Sequence, residues 1–155
     1  MPRITRRSVR WTLVVLAVLG AGWFLSEVVG LRRQWTLHAV LGEADRIRVR
    51  TGGTCHRMPD AELTVFEETD PARIREVVAA IRLMPGPQSR CMCCGYPSIE
   101  FYRGDELITT IGYHHGRSIR WPDRWKWDVE LTSDSARSLN QWLAEHNVPA
   151  EHGEW

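Results

Sequence analysis

Two apolar runs, Ile99-Glu100-Phe101-Tyr102 and Leu107-Ile108-Thr109-Thr110-Ile111, flank the pair Gly104-Asp105. β-Branched and aromatic residues suit a pleated, half-buried surface, so each run reads as a strand. Gly tolerates the positive φ of a two-residue turn, so the pair reads as the tip of a β-hairpin. That tip sets a register: Arg103 opposite Glu106, Phe101 opposite Ile108, Ile99 opposite Thr110. Extended outward, the register places Cys94 opposite His115 and Gly95 opposite His114. Opposed residues share a face, with Cβ atoms roughly 5 Å apart. Alternation then groups His114 with Cys91 and Cys93, and His115 with Cys94, on opposite faces. Pro97 has no N–H to give a ladder, so pairing is expected to loosen beside it.

Thiolate sulfur and imidazole nitrogen are the ligands preferred by zinc and other soft or borderline metals. The candidate ligands are Cys91, Cys93, Cys94, His114 and His115, with Cys55 and His56 as a further source. Cys91-Met92-Cys93-Cys94 holds both a CxC and a CxxC spacing, but a zinc ribbon would need a second CxxC, which the chain lacks. A disulfide competes with the metal. Four cysteines allow three complete pairings. A bridge from Cys55 to Cys91, Cys93 or Cys94 would pin an upstream loop to the hairpin. A vicinal Cys93–Cys94 bridge is disfavoured by its strained ring. The CxxC also has the spacing of a redox motif, without the βαβ context or the following helix.

The N-terminus carries Arg3, Arg6, Arg7 and Arg10, then an apolar run from Trp11 to Leu25 that resumes at Val28–Leu31 before Arg32-Arg33. This is close to the roughly 20 residues that cross a bilayer. The arginines ahead of it favour a cytoplasmic N-terminus and an extracytoplasmic body. A cleaved signal peptide is the rival reading, with small residues at Gly20-Ala21-Gly22. Thr5-Arg6-Arg7-Ser8-Val9 resembles a twin-arginine export signal, except that Val9-Arg10 stands where that pattern has Phe-Leu. Setting aside those six arginines and Glu27 leaves 14 basic against 18 acidic groups from Gln34 onward, so a basic nucleic-acid footprint is absent there. Outside the cytoplasm, cysteines are usually oxidised.

Along the body, Arg46–Arg50 alternates as a strand, and Glu62–Glu67 reads as a second strand able to pair with it. Asp70-Pro71 opens a helix whose stripe is Ile74, Val77, Val78 and Ile81, with Pro85-Gly86-Pro87 as its stop. Gly116–Trp121 reads as an extra edge segment. Trp121, Trp125 and Trp127 read as core caps rather than a carbohydrate platform. Thr132 or Ser133 caps a last helix with Ala136, Leu139, Trp142 and Leu143 on its apolar side, ended by Asn147-Val148-Pro149.

The order β-β-α-β-β-(β)-α points to an α+β fold. The expectation is a small two-layer sandwich, an antiparallel sheet of four to five strands with two helices on one face. The segments are residues 1–10 as a cytoplasmic basic N-terminus, 11–31 as the transmembrane anchor and 32–45 as a juxtamembrane segment. Residues 46–149 form the extracytoplasmic domain and 150–155 a loose tail.

No phosphate loop, nucleophile elbow or dinucleotide fingerprint is present. Glu100 reads as a strand-surface residue, and Asp105 and Glu106 as turn residues, so a third reading, a hydrolase-like enzyme, has no constellation behind it beyond isolated carboxylates. The functional expectation is a membrane-anchored binding or assembly module that contacts other envelope proteins, with a structural Cys/His cluster. The alternative is a thiol-redox or metal-handling protein using Cys91, Cys93 and Cys94 with His114 or His115.

Overall fold

The computed structural model describes residues 6–54, 63–86, 91, 94–125 and 127–148. No proline interrupts the first helix, α1 (Arg6–Leu41), and it runs unbroken into the body. The juxtamembrane stretch is therefore part of one 36-residue helix up to Leu41, where Gly42 N–H bonds His38 O at 2.9 Å. Among the described side chains from Trp11 to Leu31, the large apolar ones are exposed. Its last three turns are different: Leu37 and Leu41 are fully buried in the core. Burying each contributes roughly 2 kcal/mol.

Polar groups lock that end in place. Gln34 Oε1 accepts from Leu83 N–H at 2.6 Å, and Gln34 Nε2 donates to Ile81 O at 2.9 Å. His38 Nε2 lies 2.9 Å from the same carbonyl. Arg33 Nη1 donates to Gly86 O at 3.2 Å.

The strands are β1 (Arg46–Arg50), β2 (Thr64–Glu68), β3 (Ser98–Arg103), β4 (Glu106–His114), β5 (Ser118–Arg120) and β6 (Val129–Glu130). They form one antiparallel sheet in the order β2-β1-β3-β4-β5-β6. The sheet thus exceeds the four to five strands expected. β6 has only two residues, too few to show a period, and β5 lies inside it rather than at the edge.

The hairpin tip forms as expected, with Arg103 opposite Glu106 and Tyr102 opposite Leu107. A bulge between Phe101 and Tyr102 then shifts the register by one. Phe101 faces Thr109 rather than Ile108, and Ile99 faces Ile111 rather than Thr110. The shift opposes two β-branched core residues and keeps Ile108 out of the ladder.

α2 (Pro71–Ala80) starts where Asp70 Oδ1 accepts from Ala72 N–H at 2.9 Å. It stops at Ala80, well before the Pro-Gly-Pro sequence. The next residues are drawn into extended pairing: Leu83 bridges Leu131, and Met84 N–H bonds Glu130 O at 2.8 Å. α3 (Ser133–Glu145) is capped by Thr132. It closes with Val148 N–H on Leu143 O, Asn147 N–H on Ala144 O and Asn147 at φ 58°, a Schellman ending.

One sheet face and the helices share a single core. Ile47, Val49, Ile99, Phe101, Ile111, Tyr113, Ile119 and Val129 meet Leu37, Leu41, Ile74, Val77, Val78, Leu139, Trp142 and Leu143. Tyr113 OH reaches α3, donating to Asn140 Oδ1 at 2.7 Å. Trp121 and Trp125 are buried edge to face at 5.2 Å, the core role expected of them. Leu37→Ala in detergent-solubilised full chain is expected to lower unfolding stability by about 2–5 kcal/mol, whereas Leu19→Ala changes little. Denaturant titration reads both, and equal effects would remove α1 from the core.

Candidate metal and disulfide centre

The other sheet face carries the polar partners: Arg48, Arg50, Ser98, Glu100, Thr110, Gly112, His114, Ser118 and Arg120 by alternation. Much of it is nonetheless buried, including Ser98, Glu100, His114, Ser118 and the nearby Asp128. Loops cover it. Thr54 N–H bonds Cys94 O at 2.9 Å, and a side chain at Gly112 would meet Thr54. A Cβ on Gly95 would collide with the His114 ring, and Gly95 also has φ 71°. Only glycine meets both demands. Gly95 therefore lies on His114, the proximity expected from the hairpin, although the bulge has moved the formal register.

Glu100 is a correction. It is 1 % exposed, accepts from Tyr102 OH at 2.7 Å and pairs with Arg50 at 3.5 Å. Because β1 flanks β3 and loops close over this face, a strand position that alternation marks as outward is buried.

His114 is fully buried and Asp128 is 1 % exposed. A ring nitrogen of His114, a carboxylate oxygen of Asp128 and Cys91 Sγ all lie within 4.8 Å of one another. His114 Nδ1 stands 3.6 Å from Asp128 Oδ2. Arg120 completes the charge balance: Nε reaches Asp128 Oδ1 at 2.6 Å and Nη2 reaches Oδ2 at 3.1 Å. The same Nη2 donates to Cys91 O at 2.7 Å, tying the cysteine segment to the sheet.

His115 joins Cys91 as well, with Nε2 at 3.2 Å from Sγ. Alternation sends the two imidazoles to opposite faces, and that expectation fails. His115 has φ 51° and Gly116 φ 64°, and Arg117 N–H bonds His114 O at 3.1 Å. These are the paired positive φ values of a type I′ turn, so His115 leaves the strand and swings back.

Cys91 is in a disulfide whose partner lies outside the described residues, and Cys94 is a free thiol. Cys94 therefore takes part in none of the pairings considered from sequence, neither with Cys55 nor with Cys93. Cys55, His56 and Cys93 lie outside the described residues. Among the described residues, the group that closes is Cys91, His114 and Asp128, with His115 at the sulfur.

This donor set suits a borderline metal ion, subject to two conditions. A thiolate binds metal and a disulfide sulfur does not, so Cys91 must first be reduced. Tetrahedral zinc with bonds of about 2.0–2.3 Å needs ligand atoms roughly 3.3–3.8 Å apart, so any separation in the group that approaches 4.8 Å must shorten.

Asp128 and Arg120 were not among the residues singled out from sequence. The alternation Ser118-Ile119-Arg120 puts Arg120 on the His114 face, a signal that could have been read. Asp128 stands immediately before the two-residue β6, which has no readable pattern.

The chain matches no protein-family model, no curated protein and no solved structure.

Two outcomes test this geometry. Asp128→Ala leaves a desolvated guanidinium, and is expected to cost about 3–5 kcal/mol, against less than about 1 kcal/mol for Glu106→Ala at the exposed Arg103 pair. Equal losses in denaturant titration would mean that the pair bears no structural weight. The second outcome is a pH profile. Burial lowers the His114 pKa from 6.5 to about 4, with Asp128 opposing and Arg120 and His115 adding to the fall. The unfolded chain takes up this proton near 6.5 and the folded chain only near 4. Stability from His114 is complete above pH 6.5 and is lost between 6.5 and about 4, by up to about 3 kcal/mol. Thermal midpoints across that window should fall less for His114→Gln than for the native chain.

Proposed function

We propose that this chain is a membrane-anchored domain that acts outside the cytoplasm as a binding or assembly module, with a structural Cys/His/Asp centre. Burial carries the reading. His114 and Asp128 are 0 and 1 % exposed by side chain, and the Gly95 backbone lies against the His114 ring, a setting that suits a structural centre. Metal centres that serve structure are closed, whereas catalytic ones keep an open position.

Val14–Leu41 is long and apolar enough to cross a bilayer, and its exposed side chains suit lipid. The arginines before it favour a cytoplasmic start. The Cys91 disulfide suits an oxidising compartment on the far side. On this reading residues 11–31 span the membrane, and residues 46–149 form the extracytoplasmic domain, a two-layer arrangement of sheet and helices. Its partners are other envelope proteins rather than nucleic acid. The disulfide is the oxidised form of the centre, and zinc or a similar ion is its ligand when Cys91 is reduced.

One contact favours a second reading, thiol-redox or metal-handling chemistry. His115 is only partly buried, and its Nε2 at 3.2 Å from Cys91 Sγ is placed to exchange a proton with a thiol there. The reduction potential of the full chain, measured against glutathione or dithiothreitol buffers, separates the two. A structural bridge is expected below about −300 mV, and a working redox pair in the range of about −270 to −120 mV. Elemental analysis of the reduced protein is expected to find zinc in the native chain and a loss on His114→Ala. Protein that stays metal-free after reduction would end the metal part of the reading.

A further inference from the structure

α1 meets the body along one stripe: Gly30, Arg33, Gln34, Leu37, His38 and Leu41, spaced three and four apart. Its partner is the segment from Ile81 to Gly86, which descends along the helix. Ile81 O is held by Gln34 and His38, Leu83 N–H by Gln34, and Gly86 O by Arg33. A Cβ on Gly30 would lie 3.4 Å from Pro85 Cα, so the helix and this segment are in contact at that level.

Another flank of the same turns is apolar and bare. Val28, Leu31 and Trp35 are 43, 69 and 74 % exposed, and continue the exposed surface that starts at Trp11. The apolar surface and the body contact therefore overlap in height. Trp11 and Trp35 are 24 residues apart, about 36 Å along a helix at 1.5 Å per residue. That matches a hydrocarbon core of about 30 Å with an interfacial tryptophan at each boundary. Met84, beside Pro85, is 44 % exposed at this boundary.

From these contacts we infer that the body is seated on the lipid surface, with Met84, Pro85 and Trp35 in the headgroup–acyl boundary, rather than held off it on a flexible stalk. The inference rests on the membrane-anchor reading above. It also sets the level of the Cys/His centre. Met84 N–H bonds Glu130 O, Glu130 pairs with Ser118, and Ser118 pairs with His114. Three strand spacings of about 4.8 Å place His114 roughly 14 Å sideways from Met84, at the same end of the sheet. The opposite end carries the Gly104-Asp105 turn. Gly104 N–H bonds Asp45, just past α1, and Leu41 stands eleven residues, about 17 Å, beyond Gly30.

The test places a photoreactive benzoylphenylalanine singly at Leu19, Met84 or Asp105, all exposed positions. Each full-length variant is reconstituted in phosphatidylcholine–phosphatidylglycerol vesicles, irradiated and examined by mass spectrometry. Lipid adducts at Leu19 and Met84 with none at Asp105 are the expected result. Adducts at Leu19 alone would overturn the seating and leave the anchor standing. Their absence at both Leu19 and Met84 would overturn the anchor and the seating with it. Adducts from Met84 to a second copy of the chain, with none to lipid, would assign the patch to self-association and overturn the proposal. Lipid adducts at Asp105 as abundant as at Met84 would overturn it as well.

Discussion

The Arg120–Asp128 pair lets a polar sheet face close. Asp128 is 1 % exposed and the Arg120 side chain 13 %, so neither charge keeps much water. Two hydrogen bonds between them satisfy the carboxylate, and a third from the guanidinium holds Cys91 O. A desolvated charge without such partners costs several kcal/mol. With the pair formed, the cysteine segment can lie over His114 and exclude solvent. The disulfide at Cys91, the glycine contact at Gly95 and the neutral imidazole all sit within that closure.

Glycine and turn geometry supply its precision. Gly95 and Gly53 let backbone approach where a Cβ would strike His114 or the Cys94 carbonyl. The left-handed His115 brings a second imidazole to the sulfur already faced by the first. Both arrangements are local, but they become a site only because β4 and β5 form one hairpin and residues 94–97 fold back over it.

The helical side follows a different logic. α1 begins as an exposed apolar rod and ends as a core element, and the change occurs without a break in its backbone. Its last turns expose no separate amphipathic helix. They contribute Leu37 and Leu41 to the same cluster as the sheet, while Gln34 and His38 satisfy carbonyl and amide groups left open after α2 ends. A helix joined in this way is fixed in direction relative to the domain.

Local chemistry alone marked the α+β class, the β1–β2 and β3–β4 hairpins, both body-helix N-caps, the helix stripes and the buried tryptophans. Each of those depends on neighbours within a few residues: a turn that needs Gly, a cap that needs Asp or Thr, a period of two or 3.6. The nearness of a cysteine to the histidine pair was also legible, because a hairpin carries its flanks together even when the register slips by one. Tertiary structure decided the rest. The bulge at Phe101 answers to core packing, the end of α2 to a bridge with Leu131, and the burial of Glu100 to loops from distant parts of the chain. Asp128 entered the centre for the same reason: it precedes β6, a strand too short to show a period, and only pairing across the sheet gives it a place.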